Sequence, residues 1–166
     1  MSVAVLSLGS NVGDRLGYLR CCVQGFAGAL RAVSPVYATQ PWGGVEQDEF
    51  LNAVLLVDDD SADAEEWLRR GQQQEAVAQR SREIHWGPRT LDVDVITVDN
   101  VRRMDPHLRL PHPHAHERAF VLVPWLAVAP DAVLPGHGPV KHLVARLPVA
   151  QRCGVRRCDD LVLAPP

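Results

Sequence analysis

The 166-residue chain is 46% hydrophobic and carries a formal net charge of −3. It is long and apolar enough for one domain with a real core, and too weakly charged to be drawn as a whole to nucleic acid or an anionic membrane. Its basic residues are nearly all arginine, with Lys141 the one lysine. Of its cysteines, Cys21 and Cys22 are adjacent, and Cys153 and Cys158 stand near the end at no zinc-ligand spacing, so a reduced cytoplasmic protein is expected. The first residues lack a basic leader, and no apolar run reaches membrane-spanning length.

Residues 3–8 form an almost wholly apolar run ending at Gly9, which predicts a buried first strand. The stretch from Gly9 to Asp14 reads as a tight strand-to-helix turn and matches neither the P-loop nor the dinucleotide fingerprint. Leu16, Leu19, Val23, Phe26, Ala27 and Leu30 recur at helical spacing. Residues 33–39 predict a second strand with an edge or bulge at Pro35, and 50–57 a third, in which Asn52 is polar inside an apolar run. Between them lies a loop with Trp42 and Gly43.

Asp58-Asp59-Asp60-Ser61 reads as a cap for a second helix over 62–78 in preference to a metal site. A polar loop over 80–89 precedes a strand over 91–98. Alternation places Asp92, Asp94, Ile96 and Val98 on one of its faces, and Leu91, Val93, Val95 and Thr97 on the other. A turn at Asp99-Asn100, a returning strand from Val101, a helix over 115–127 interrupted at Pro124, a short strand at 133–134 and a helix over 140–147 complete the pattern. Beyond Pro148 the signal is weak, apart from a strand at 161–163. After the first helix, strands follow strands, the pattern of an α+β sheet with antiparallel pairing. Residues 1–166 read as a single domain, with 148–166 a poorly determined tail.

The candidate chemistry gathers between Arg80 and Arg118. Asp92 and Asp94 set two carboxylates about 7 Å apart on one strand face. Such a pair either holds Mg²⁺, whose octahedron ligand phosphates would complete, or forms structural bridges to arginine. Arg80, Arg82, Arg89 and Arg118 can clamp phosphate oxygens, which suits phosphoryl-type transfer. His112, His114 and His116 alternate as a zinc cluster would, but Pro113 interrupts any regular strand there, and one histidine donating to a phosphate is the better use. Trp42, Phe50, Trp86 and Phe120 offer flat apolar surface that, with Asn52, can sandwich a heteroaromatic ring.

Trp86-Gly87-Pro88-Arg89-Thr90-Leu91-Asp92-Val93-Asp94 resembles the signature of the 6-hydroxymethyl-7,8-dihydropterin pyrophosphokinases of folate biosynthesis. Leu8-Gly9-Ser10-Asn11, Phe50-Leu51-Asn52-Ala53, Leu110-Pro111-His112-Pro113 and Arg118-Ala119-Phe120 resemble further blocks of that family in the same order. The resemblance implies a ferredoxin-like α+β fold, a mainly antiparallel sheet with helices on both sides. It implies an ATP-dependent transferase that moves the pyrophosphoryl group of ATP to the hydroxymethyl oxygen of the pterin and releases AMP. Asp92 and Asp94 would hold two Mg²⁺ ions. Glu75, Trp86, Arg89, His112 and Arg118 would contact ATP, and Arg80 and Arg82 would belong to a closing loop. Thr39, Trp42, Gly43, Phe50, Asn52, Trp86, Asp92 and Phe120 would meet the pterin. The partners implied are these two small molecules, with no nucleic acid and no membrane, acting on a monomer. Three positions depart from the family: Gln79 stands where glycine is common, His85 where arginine is, and Phe50 where tyrosine is. Two other readings remain, a zinc hydrolase built on the histidines from His112 to His116 and a non-catalytic nucleotide- or pterin-binding module.

Overall fold

The structure is a computed structural model and describes residues 2–40, 48–78 and 90–163. Trp42, Gly43, Arg80, Arg82, Trp86 and Arg89 of the expected site lie outside the described residues, as do Gln79 and His85.

Strand β1 (Val3–Ser10) runs two residues beyond its apolar stretch, so Gly9 belongs to the strand and not to the turn. The turn is correspondingly shorter. Gly13 takes a φ of 69° there, a left-handed conformation that a side chain would strain. Asp14 caps α1 (Arg15–Gly25) by accepting the Gly17 N–H at 3.0 Å. The expected second strand divides into β2 (Leu30–Val33) and β3 (Tyr37–Thr39) around Pro35, which has no N–H for a ladder. Ser34 spans the gap: it donates its N–H to the Val54 carbonyl and accepts the Val54 N–H on Oγ, both at 2.9 Å. Both strands therefore share one edge of β4 (Phe50–Asp58).

Helix α2 (Ala64–Ala78) starts later than the acidic triplet suggests, because Asp63 caps it by accepting the Glu66 N–H at 2.9 Å. Strand β5 (Asp92–Val98) follows. The strand expected to return along β5 does not; β6 (Arg103–Met104) pairs with β7 (Arg109–Leu110) in a small sheet of its own. A 3₁₀ turn (Ala115–Glu117) and α3 (Ala119–Val128) replace one expected helix, parted by extended backbone at Arg118. Pro124 lies inside α3 without ending it; the lost hydrogen bond is outweighed by burial of Val121, Leu122 and Trp125 around it. A hairpin of β8 (Val133–Leu134) and β9 (Gly138–Pro139) leads to α4 (Val140–Arg146), α5 (Val149–Cys153) and β10 (Val155–Arg157). Strand β10 replaces the one expected at 161–163. There, Leu163 is buried in the core and the Val162 carbonyl accepts from Arg20 Nε at 2.8 Å.

The main sheet runs β10-β3-β4-β1-β5, with β2 also on β4, and every pairing in it is antiparallel. Helices cover both faces. Ala4, Leu6 and Leu8 of β1 pack with α1 and α2 through Leu19, Cys22, Val23 and Trp67. Val5, Val54 and Ile96 pack on the other side with α3 and α4 through Leu122, Trp125 and Leu143. Trp67 is fully buried, and its indole N–H donates to Ser2 Oγ at 2.9 Å. One detail departs from simple alternation. The register between β1 and β5 shifts at Val5/Leu6, so Val98 pairs with Ala4 and joins the α1/α2 side instead of sharing a face with the aspartates. Among the described residues no helix is long and apolar enough to cross a membrane.

Candidate active site

Sheet register builds the site. Tyr37 pairs with Asn52, Asn52 with Gly9, and Gly9 with Asp92, a row running across four strands. Thr39 pairs with Phe50 and Ser7 with Asp94, so all of these side chains share the α3 side of the sheet. Asn52 Nδ2 donates to Thr39 Oγ1 at 2.8 Å, with Oδ1 on the Gly9 side. A Cβ at Gly9 would stand 3.2 Å from Asn52 Oδ1 and 3.7 Å from the Phe50 ring. Glycine therefore leaves an acceptor and an aromatic face opening on the same small space. Asn52 needs a partner, as a buried polar group must, and Thr39 supplies it.

At the β5 end of the row stand the two acids. Asp94 Oδ2 faces Arg118 Nη1 at 3.9 Å, an ion-pair distance longer than a hydrogen bond. Arg118 sits where the 3₁₀ turn meets α3, and its guanidinium also lies over the Phe120 ring, 5.5 Å from the centroid. The His112 N–H donates to the Ile96 carbonyl at 2.9 Å, which anchors that histidine beside β5. His112 Nδ1 in turn accepts the His114 N–H at 3.2 Å, so the neutral ring carries its proton on Nε2. Burial pushes the His112 pKa down to about 4, with the nearby Arg118 cation and His114 adding to the effect. His112 is thus a neutral N–H donor through the physiological range.

Thr39, Phe50, Asn52, Asp92, Asp94, His112, Arg118 and Phe120 are brought to one side of the sheet. Glu75 is not among them. It projects from α2, on the other side, and its carboxylate accepts the Val93 N–H at 3.2 Å along the outer edge of β5. His116 stacks on His137 with centroids 4.1 Å apart, and both His116 and His114 approach the Glu117 carboxylate, at 3.3 and 4.0 Å. Among the described residues no group of three or more His, Cys, Asp or Glu is arranged to hold a metal. Gly9 is the residue that sequence reasoning misplaced. A glycine directly after an unbroken apolar strand was the available signal, since glycine inside a strand often marks a close approach.

Residues 5–130 match the sequence profile of the family described as 7,8-dihydro-6-hydroxymethylpterin-pyrophosphokinase (HPPK). A relative from Mycobacterium tuberculosis (strain ATCC 25618 / H37Rv), a 2-amino-4-hydroxy-6-hydroxymethyldihydropteridine pyrophosphokinase, is 51% identical over 168 residues, covering 94% of this chain and 89% of its own. A Bacillus subtilis protein of the same name is 39% identical over 127 residues, covering 74% and 75%. Among solved structures, wild-type Plasmodium falciparum HPPK-DHPS with pteroate matches at a TM-score of 0.65 and 11% identity over 86% of this chain. This chain spans 43% of that one, about half its length, so the likeness is one of fold.

Proposed function

This chain belongs to the 7,8-dihydro-6-hydroxymethylpterin-pyrophosphokinase family, and on that premise we propose how its residues carry out the reaction. The activity is transfer of the pyrophosphoryl group of ATP to the hydroxymethyl oxygen of 6-hydroxymethyl-7,8-dihydropterin in folate biosynthesis, with release of AMP. The observation that carries the reading is the continuous row from Tyr37 to Asp92, which sets a ring-edge reader two strands from an acidic pair.

In this reading the pterin ring lies over Gly9. Phe50 and Phe120 stack on it, and Asn52 Oδ1 accepts from its N–H edge. The Thr39 hydroxyl, bonded to the Asn52 amide at 2.8 Å, holds that side chain toward the ring. The neighbouring Asp92 then sits beside the hydroxymethyl arm. The attacking oxygen is held against the β-phosphorus by position, which is the larger part of catalysis in reactions of this type. Arg118 and His112 Nε2–H would donate to phosphate oxygens as charge moves during transfer. Arg80, Arg82 and Arg89 would add to that clamp, with Trp86, Trp42 and Gly43 completing the two pockets. Glu75, whose carboxylate accepts the Val93 N–H along the outer edge of β5, would meet the nucleoside from the other side of the sheet.

Asp92 and Asp94 fit Mg²⁺. Both are hard oxygen donors on one face, and Asp94 is 43% exposed and so open to a ligand-bearing ion. Two ions held there would neutralise the triphosphate and draw the two substrates together. We further read the sheet as ferredoxin-like and 1–166 as one domain, because β10 pairs with β3 and Leu163 lies in the core. A cytoplasmic monomer is the simplest working form.

The test is the nucleotide product. With ATP, Mg²⁺ and the hydroxymethyl pterin, AMP should appear in step with the pyrophosphorylated pterin. ADP in its place would mean ordinary γ-phosphoryl transfer and would overturn the reading.

A further inference from the structure

The β3–β4 ladder ends at Thr39 and Phe50, two residues of the ring site proposed above. The next residue on each side, Gln40 and Glu49, is outside both strands but is joined side chain to side chain. Gln40 Nε2 donates to Glu49 Oε1 at 2.9 Å. Glu49 Oε2 pairs with Arg156 Nη2 at 3.2 Å, and the Glu49 backbone carbonyl accepts from Arg15 Nη1 at 2.7 Å. Glu49 is therefore held by three elements: the end of β3, the C-terminal strand β10 and the first turn of α1. Arg156 is paired with Ala38 in the sheet, so its side chain reaches Glu49 past β3.

We propose that Glu49 is a positioning residue for the pterin site, clasped by Gln40 and Arg156, and that strand β10 thereby helps to set affinity for the pterin. The proposal rests on the ring-site reading of Thr39, Phe50 and Asn52. Arg156 and Glu49 are 67% and 31% exposed, and a pair so exposed adds little to global stability. Its effect falls on its neighbours in the chain. Thr39 must stay at its 2.8 Å distance to hold the Asn52 side chain in place, and Phe50 must present its ring over Gly9. Both are one residue from the clasp. Loosening it leaves the fold intact and lets the two pterin contacts drift, so binding then includes the cost of ordering them.

The test is steady-state kinetics of Arg156→Ala, Arg156→Lys and Glu49→Ala, with Asn52→Ala as control for the underlying reading and thermal melts for all. Arg156→Ala should raise the pterin KM about two- to fivefold, the size an exposed ion pair supports. Glu49→Ala, which removes two side-chain partners, should raise it about tenfold. The ATP KM, kcat and melting midpoint should stay near those of the parent, and Arg156→Lys should restore most of the pterin KM. Unchanged pterin KM in both alanine variants, or an equal rise in both KM values, would overturn the proposal while Asn52→Ala still raises the pterin KM. An Asn52→Ala variant with normal pterin KM would instead remove the ring site, and the clasp's role with it.

Discussion

Two of the acidic clusters in this chain, Asp58 to Asp60 and the pair Asp92 and Asp94, sit in different surroundings. The triplet from Asp58 to Asp60 is drawn into the scaffold. Asp59 accepts from the Ser61 N–H at 2.9 Å and from its hydroxyl at 2.6 Å, and pairs with Arg70 at 2.9 Å. The Ser61 bonds, more than the arginine, hold its pKa down at about 2. Asp92 and Asp94 sit instead on an open sheet face with Arg118 at 3.9 Å, next to a glycine and a histidine anchored to the same strand. Charge count in a sequence says little about metal binding; what matters is whether the carboxylates share one face of a strand, as Asp92 and Asp94 do.

Substitutions break this comparison from the active end first. Asp92→Ala should lower kcat/KM by roughly a thousandfold or more, the scale of losing charge stabilisation in a transition state. The melting midpoint should hold, since a half-exposed acid on a sheet face contributes little to the core. Asp94→Asn, assayed with Mg²⁺ and with Mn²⁺, asks whether Asp94 takes part; near-normal turnover with both metals would remove it from the chemistry. Arg118→Ala should cost about a hundredfold in kcat/KM.

His112→Ala should raise the ATP KM about tenfold, as expected for one hydrogen bond to a charged group. The pH dependence follows from its lowered pKa. The folded protein keeps His112 neutral down to about 4, whereas the unfolded chain protonates it near 6.5. That difference favours unfolding as pH falls from the unfolded value toward the folded one, and it is absent above. His112→Ala should flatten this part of a urea-midpoint profile.

At the structural end, Asp59→Asn should leave turnover unchanged. Asp59 and Glu66 both have folded pKa values near 2, Glu66 through Arg69 and then Arg70. Their stabilisation is present above the usual carboxylate pKa and is lost as pH falls through about 2. The variant should remove part of that acid dependence. The smallest effect belongs to the helix cap, where Asp63→Ala should cost about 1 kcal/mol of stability without touching activity.

Much of this contrast could be read from residue order. Alternation in β5 put Asp92 and Asp94 on one face, and an isolated Asn52 in an apolar strand marked a partnered polar group. The bounds of β4 and β5 followed from their apolar runs. Other features depend on pairings that no local pattern encodes. The bulge that moves Val98 across the sheet is set by the β1–β5 register, and the place of Gly9 by the extension of that ladder. Asp63 caps α2, where Asp58 to Ser61 was the expected cap; Asp59 is committed to Ser61 and Arg70 instead. Strand β10 was invisible because Val155-Arg156-Arg157 has no apolar alternation; its order comes from β3 and from Glu49.

The most direct test of the acidic pair is a count of bound metal. Protein-bound Mn²⁺ would be titrated by electron paramagnetic resonance in the presence of a non-hydrolysable ATP analogue and the pterin. The account predicts two ions per chain in the parent, fewer in Asp92→Ala, and two again in Asp59→Asn. Two ions in Asp92→Ala, or a loss in Asp59→Asn, would contradict the assignment of the metal site to β5.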